Sequence, residues 1–293
     1  MALARRVGFF LLTNLAVMLV LGGIYAILDR AGLIPKEGLG SDWVPLLLFS
    51  LVWGMGGAFI SLALSKSLAK MAVRAQVIRQ PRNEVEHWLL TTVARQAQAA
   101  GIGMPEVAIY DAPDMNAFAT GARRDAALVA VSTGLLRGMR RDEVEAVLAH
   151  EVSHVANGDM VTMALLQGVL NAFVIFFSRA LARIADTALS RGEERRGPSG
   201  FYYLFVFLFD LVFGVLATVI AMWFSRMREY RADAGAARLV GAGAMISALD
   251  ALKRSHPAEL PPQVKAFGIL GDVRSLFSSH PPLEARIAAL RQL

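Results

Sequence analysis

Four apolar runs dominate the sequence, and each is long enough to form a helix that crosses a membrane. The first two, residues 7–28 and 44–64, contain 22 and 21 residues without a charge. A helix rises about 1.5 Å per residue, so either run spans a hydrocarbon core of about 30 Å. Residues 160–178 and 201–224 form the third and fourth runs. Because 55% of the residues are hydrophobic, more than in most soluble domains, we expect a multi-pass membrane protein.

The charges that flank the first two runs predict the orientation of the chain. Arg5 and Arg6 precede the first run. Five basic residues follow the second run: Lys66, Lys70, Arg74, Arg79 and Arg82. Basic residues concentrate on the cytoplasmic side of membrane proteins, so we expect the N-terminus and the segment after residue 64 to be cytoplasmic. The net charge of +6 is explained by this topology, and no binding of nucleic acid is expected.

The third and fourth runs allow two interpretations. The third contains Gln167 and Asn171, and the fourth contains Asp210. The loop between them, residues 181–200, is slightly basic, which is unusual for a segment outside the cytoplasm. The runs form either a transmembrane hairpin, which we favour, or two long helices partly sheltered inside the protein. Both interpretations return the chain to the cytoplasm.

Residues 66–159 are predicted to form a water-exposed part of the chain. Residues 84–100 have helical periodicity, and Gly101 is a typical residue just beyond a helix. Residues 106–110 and 126–131 have the composition of short strands. Between them, residues 116–121 form a short mixed stretch that ends in a turn residue. The pattern indicates a small sheet packed on helices.

A zinc-binding motif lies at His150, Glu151 and His154. The chain has no cysteine, so a metal site must come from histidines and carboxylates. Positions i and i+4 share one face of a helix, so both imidazoles can reach one ion, and Glu151 can accept a proton from a metal-bound water. Asp142 and Glu145 are predicted to form the capping box that begins this helix. The alternative is an ordinary helix with two exposed histidines.

The third protein ligand is predicted to come from residues 225–233, where Glu229 and Asp233 are four residues apart. Like charges at this spacing repel on an isolated helix. A metal site would reverse this repulsion if Glu229 bound zinc and Asp233 accepted the free N–H of a ligand histidine. The spacing alone leaves open a solvated helix neutralised by arginines. His154 lies six residues before the third run and Glu229 five after the fourth, so both are expected near a membrane entry point.

These motifs together resemble the HtpX family of bacterial membrane-bound zinc metalloproteases, which is related to the CAAX prenyl proteases. The resemblance extends over almost the whole chain. It rests on the two N-terminal runs and on residues 116–119, 150–159, 225–233 and 279–282, followed by Arg286 and Ile287.

The resemblance implies a role for each matching residue. Glu229 would be the third ligand of one zinc ion per chain, and Asp233 would support a ligand histidine. The segment that contains Asn116 would hold a substrate strand through backbone hydrogen bonds, unless it is an ordinary turn. His280 and Arg286 would stabilise the oxyanion or order the site, unless they are a capping turn and a structural arginine.

The predicted fold is a mainly α membrane protein with about four transmembrane helices and a cytoplasmic, zincin-like α+β metalloprotease domain that carries a small β-sheet. Residues 1–65 would hold two transmembrane helices, and residues 66–159 the first catalytic part with the zinc-binding helix. Residues 160–224 would form the second hydrophobic hairpin, and residues 225–293 the second catalytic part with the third ligand.

The predicted function is a zinc metalloendopeptidase of the bacterial cytoplasmic (inner) membrane. The resemblance implies quality control and stress response, with damaged or misfolded membrane proteins and unfolded polypeptides as substrates at the cytoplasmic face. Two alternatives come from other classes of protein. One is a membrane scaffold or chaperone with a structural metal. The other is a transporter, suggested by Gln167, Asn171 and Asp210 inside apolar runs.

Overall fold

The computed structural model describes Arg30 and residues 43–189, 199–255 and 279–293. The first predicted membrane run, residues 7–28, lies outside these residues, as does most of the loop that follows the third run. Helices dominate the described chain, and one small mixed sheet accompanies them. The prediction of a mainly helical protein with a small sheet is therefore confirmed.

The helices are α1 (Trp43–Ala72), α2 (Glu84–Ala99), α3 (Thr133–Gly138), α4 (Arg141–Asn157), α5 (Asp159–Leu189), α6 (Gly200–Val240), α7 (Ala242–Ser255) and α8 (Leu283–Leu290). The strands are β1 (Gln76–Val77), β2 (Glu106–Tyr110), β3 (Ala117–Thr120) and β4 (Leu128–Ser132). The predicted strand at residues 126–131 begins two residues late, because Arg124–Ala126 form a single 3₁₀ turn.

Three of the described helices are long and apolar enough to cross a membrane. They are α1 with 30 residues, α5 with 31 and α6 with 41, and they contain the second, third and fourth apolar runs. In the most apolar 18-residue stretch of each, 28%, 22% and 11% of the residues are buried within the protein. Large apolar side chains of α1 and α6 are correspondingly exposed, among them Trp53, Phe207 and Leu211.

The chain divides into two compact units, and the described residues of the first are Arg30, 43–60, 164–189 and 199–220. Within it, Gly54 of α1 lies against Ala172 of α5 so closely that a Cβ on Gly54 would be 2.4 Å from the Ala172 nitrogen. Trp43 and Phe176 join a small apolar cluster between the same helices. Helices in membranes pack through such small residues, because lipid provides no hydrophobic force to drive them together.

The described residues of the second unit are 61–163, 221–255 and 279–293, and this unit contains the sheet. The strand order is β1-β2-β4-β3. Strands β2 and β4 are parallel, whereas β1 and β3 are antiparallel to their neighbours. Strand β3 is therefore an edge strand, and its residues are half-buried. All five residues of β4 are buried, as expected for a central strand that is covered on both faces.

The core of the second unit lies on one face of this sheet. Side chains alternate between the two faces of a strand, so Val107, Val129 and Val131 point to the same side. They pack there with buried residues of α2, α4 and α7. The opposite face carries Tyr110 and Leu128 in a smaller cluster. Helix α4 is thus enclosed by the core, which gives its side chains fixed positions.

The predicted capping box of α4 is wrong. The helix begins at Arg141, and the backbone N–H of Arg140 donates to Glu143 Oε2 over 3.0 Å. Glu145, the residue that was expected to close the box, instead accepts a hydrogen bond from Arg95 of α2. Glu143 is buried and Asp142 is exposed, so the buried carboxylate takes the N-terminal contact.

Candidate metal centre

Three predicted ligands come together in the second unit. His150 and His154 lie on α4, and Glu229 lies on α6. The Nε2 atoms of the two histidines are 3.1 Å apart. Glu229 Oε2 is 3.5 Å from His150 Nε2, and Glu229 Oε1 is 3.3 Å from His154 Nε2. The three residues are the group among the described residues that could hold a metal ion.

The spacing and chemistry of these atoms fit zinc. Two imidazoles and a carboxylate form one of the ligand sets of catalytic zinc sites, with zinc–ligand distances of about 2.0–2.2 Å. Two ligands of one tetrahedral ion at these distances are about 3.4 Å apart. The observed separations of 3.1, 3.3 and 3.5 Å agree with that value. The donors thus already stand where a tetrahedral ion needs them.

Small residues allow the two ligand helices to bury their polar side chains. Glu229 is 2% exposed. Ala232 and Ala236 lie on the same face of the helix as Glu229, because residues three and seven positions later return to the same side. Both alanines are completely buried. On α4, Ala146 lies one turn before His150 and is also completely buried. The ligands therefore sit among short side chains that leave room for them.

Each histidine has a carboxylate at its second ring nitrogen. Asp233 Oδ1 lies 2.9 Å from His150 Nδ1, the contact expected of a carboxylate that supports a ligand histidine. Asp159 Oδ2 lies 2.6 Å from His154 Nδ1. Sequence reasoning does not single out Asp159, although its position directly after Gly158 is a usable signal. With Nδ1 engaged, Nε2 of both rings points to the ligand group.

Arg286 and His280 approach the same carboxylates. The guanidinium of Arg286 makes two hydrogen bonds to Asp233, of 2.8 and 2.6 Å, and its Nη1 is 3.3 Å from Glu229 Oε2. Arg286 is buried. His280 Nδ1 is 2.8 Å from Glu229 Oε2, while 64% of its side chain remains exposed. The two residues thus meet the site differently, one enclosed in it and the other at its surface.

The surrounding carboxylates make the pocket attractive to cations. Burial alone would lower the pKa of His154, but its contacts with Asp159 and Glu229 outweigh burial and raise the pKa to about 9. Burial likewise opposes protonation of His150, whose pKa is nevertheless raised by Asp233 and Glu229. The negative charge that favours the protonated rings also favours a bound dication.

Glu151 lies on α4 between the two histidines and is half-buried. Its charge contributes to the raised pKa values of His154 and Arg286, so the carboxylate is electrostatically coupled to the cluster. It is not one of the three converging ligand residues. It therefore remains available for proton transfer.

Asn116 is not part of the cluster, and it immediately precedes the edge strand β3. Its backbone is paired: the Ser132 N–H donates to the Asn116 carbonyl over 2.9 Å, and the Asn116 N–H donates to Ser132 Oγ over 3.1 Å. Strand β3 itself pairs with β4 on one side and contacts α4. This arrangement places an edge strand beside the helix that carries His150 and His154.

Comparisons with known proteins agree with the geometry. The sequence model of peptidase family M48 matches residues 83–293. Protease HtpX of Alkalilimnicola ehrlichii is 54% identical over 296 residues, covering 98% of each chain. Protease HtpX of Xanthomonas campestris pv. campestris is 58% identical over 292 residues, or 98% of this chain and 97% of the relative. The crystal structure of S. mikatae Ste24p has the same fold, with a TM-score of 0.61 at 18% identity over 98% of this chain and 67% of that one.

Proposed function

The chain belongs to peptidase family M48 and is a membrane-bound metalloprotease, and we propose that it is a zinc endopeptidase with Glu151 as its general base. One observation carries the proposal: two Nε2 atoms and a buried carboxylate converge at separations of 3.1–3.5 Å. His150, His154 and Glu229 would hold one zinc ion. A protease with these ligands needs no thiol and no serine nucleophile.

The chemistry is the addition of water across a peptide bond. A zinc ion held by the three ligands would supply a Lewis acid, which would polarise the carbonyl and make water a stronger acid. The Glu151 carboxylate accepts the proton of the attacking water, and the oxygen forms a bond to the carbonyl carbon. Glu151 then donates that proton to the nitrogen as the C–N bond breaks. The second proton of the water passes from the new carboxylic acid to the amine, so the products are a carboxylate and an ammonium group.

Two further residues are proposed to act around the reacting peptide. His280 is exposed and touches Glu229, so its imidazole is accessible to a substrate carbonyl and can stabilise the developing oxyanion. Arg286 is buried against Asp233, so its role is to order the site by holding that carboxylate beside His150.

The edge of β3, which follows Asn116, is the proposed place for the substrate. An extended peptide can add to an edge strand through main-chain hydrogen bonds, with little dependence on its sequence. Such a mode suits unfolded polypeptides and damaged or misfolded membrane proteins, which expose extended segments. We therefore propose a role in protein quality control under stress.

The membrane arrangement is proposed from the lengths of the helices. Helix α6 has 41 residues and is about 60 Å long, twice the thickness of a hydrocarbon core. Its second half, which carries Glu229, extends beyond the lipid. The low burial of the apolar parts of α5 and α6 supports a transmembrane hairpin at residues 160–224 between catalytic parts 66–159 and 225–293. Residues 1–65 would add two spans. The charge pattern supports a site that faces the cytoplasm, and we propose the cytoplasmic (inner) membrane because the relatives are bacterial HtpX proteases.

The transporter and scaffold alternatives are not favoured. Within the first unit, Gln167 donates a hydrogen bond to Asn171 over 2.8 Å. Asp210 lies 3.8 Å from Arg179. These polar groups satisfy one another, as structural groups in a membrane do. A scaffold would have no use for a carboxylate beside the ligands, whereas hydrolysis requires one.

The test compares purified wild type with Glu151→Gln in detergent. Both should contain one zinc ion per chain, and only wild type should cleave an unfolded protein. Glu145→Gln, on the same helix but paired with Arg95, is the matched control and should retain activity. A chelator should abolish cleavage by wild type. Equal cleavage by wild type and Glu151→Gln would refute the mechanism.

A further inference from the structure

Among the carboxylates that contact the second nitrogen of a ligand histidine, Asp159 makes the shorter contact. Its Oδ2 lies 2.6 Å from Nδ1 of His154, on the side opposite to the Nε2 atom that faces Glu229. Asp159 is 3% exposed. In the part of the chain that the structure describes, no lysine or arginine lies within salt-bridge distance of it. Its buried carboxylate is therefore directed at this single ring.

The turn between two helices creates the contact. Helix α4 ends at Asn157, and Gly158 follows in the left-handed conformation with φ 71° and ψ 34°, which glycine adopts without the penalty of a side chain. Helix α5 begins immediately afterwards at Asp159. The break in the helix at Gly158 places the Asp159 side chain against His154, which lies in the last turn of α4. A carboxylate at the start of a helix is also stabilised by the helix dipole.

We propose that Asp159 is the positioning residue of His154, as Asp233 is for His150. The inference rests on the proposed zinc site and deepens it. A carboxylate that accepts the Nδ1 proton fixes the tautomer in which Nε2 carries the lone pair, holds the plane of the ring and increases its basicity. His154 would then present Nε2 to the metal before the metal arrives. Neither substrate nor metal needs to contact Asp159.

Asp159 and Asp233 differ in a way that makes Asp159 the more informative residue. Asp233 accepts two hydrogen bonds from Arg286, so substitution of Asp233 also leaves a buried guanidinium without its carboxylate partner. Asp159 has no such cation among the described residues, so a substitution there acts on His154 without creating a second unpaired charge. A change in metal affinity at Asp159 can therefore be assigned to His154.

The alternative is a purely structural role, in which Asp159 only stabilises the start of α5. Asp159→Asn keeps the size of the side chain and an oxygen acceptor at this position, and it loses only the interaction of the charge with the helix dipole, which is about 0.3–1 kcal/mol. It removes the charge, and its amide group is a weaker acceptor for the imidazole N–H. The substitution thus separates positioning of His154 from helix capping. Asp142→Asn, an exposed aspartate in the first turn of α4, is the matched control.

The experiment measures the zinc dissociation constant of the full-length protein in detergent by competition with a chelator. Loss of an outer carboxylate typically weakens metal binding by about 10–100-fold. We expect that loss for Asp159→Asn, no change for Asp142→Asn and partial recovery for Asp159→Glu. The visible spectrum of the cobalt-substituted protein should change in Asp159→Asn, because the ligand field at His154 changes. The thermal midpoint of the chelated protein should fall no further in Asp159→Asn than in Asp142→Asn, because each variant loses one charge at the start of a helix.

Zinc binding by Asp159→Asn within about threefold of wild type would overturn the proposal, on the scale of the expected loss. The proposal would also be overturned if the chelated Asp159→Asn and Asp159→Glu proteins shared a lowered thermal midpoint, because that result indicates a role in folding alone. The outcome for the proposed function is separate. Wild type without zinc, or undiminished cleavage by Glu151→Gln, would refute the protease mechanism whatever happens at Asp159.

Discussion

Gly235 of α6 lies directly against Ser153 of α4. A Cβ on Gly235 would come within 2.6 Å of Ser153 Oγ and 2.8 Å of Ser153 Cβ. Ser153 precedes His154, and Gly235 lies in the helix that carries Glu229. The close approach of these two residues therefore sets how near the two ligand-bearing helices can come.

Gly235→Ala should weaken zinc binding and destabilise the protein. In an unhindered helix this substitution is stabilising by about 1 kcal/mol, whereas an added methyl group in a packed site costs about 1–3 kcal/mol. Thermal unfolding and zinc content report the effect. Gly214→Ala, in the same helix with no neighbour within 4 Å, should not be destabilising. Ser153→Gly added to Gly235→Ala should restore zinc, and its failure to do so would argue against the contact.

Arg286→Met should be strongly destabilising because it leaves the buried Asp233 carboxylate without its guanidinium. Removal of one member of a buried ion pair costs about 3–5 kcal/mol. Adding Asp233→Asn removes the unpaired charge, so the double variant should be more stable than Arg286→Met alone. Chemical unfolding of the four proteins measures this coupling. Additive effects would show that the pair in the structure does not operate in solution.

Single cysteines should reveal which side of the membrane each segment occupies. The chain has no cysteine, so an introduced cysteine is the only thiol in the protein that can be labelled. Met104 is 45% exposed in the second unit, and Met104→Cys should react with a membrane-impermeant maleimide only after the cytoplasmic face is opened. Arg195→Cys, between the third and fourth apolar runs, should react in intact spheroplasts. Labelling of both cysteines from the same side would contradict the hairpin.

The ion pair of Arg179 and Asp210 should stabilise the pairing of α5 with α6 without contributing to catalysis. Its atoms are 3.8 Å apart within the first unit. Arg179→Gln or Asp210→Asn should each lower stability by about 1 kcal/mol, and the double variant should lose less than the sum. Cleavage per folded molecule should remain at the wild-type level. A selective loss of cleavage in Asp210→Asn would instead give that residue a role in the reaction.

The local part of the site could be predicted because helix geometry alone determines it. His150 and His154 are one helical turn apart, and the same rule relates Glu229 to Asp233. That the two pairs meet depends on tertiary packing, and the resemblance to a family supplied what spacing left open. Asp159 follows His154 by five residues, which is not a helical repeat, so its contact becomes visible only once α4 is known to end at Gly158.

The start of α4 shows why local signals can mislead. Asp142 and Glu145 have the spacing of a capping box, and so do Arg140 and Glu143 two residues earlier. The choice between them depends on which carboxylate is buried and on Arg95, which comes from another helix. The first apolar run, by contrast, is a prediction that lies outside the described residues.

The order of the ligands along the chain bears on when the protease becomes active during its synthesis. His150 and His154 leave the ribosome before α5 and α6, whereas Glu229 follows the apolar stretch of α6. A nascent chain therefore carries two of the three proposed ligands while its last apolar helices are still being made. Hydrolysis must wait until both helices have been translated. The sequence order therefore delays activity, so an unfinished copy cannot hydrolyse the proteins that are inserted beside it.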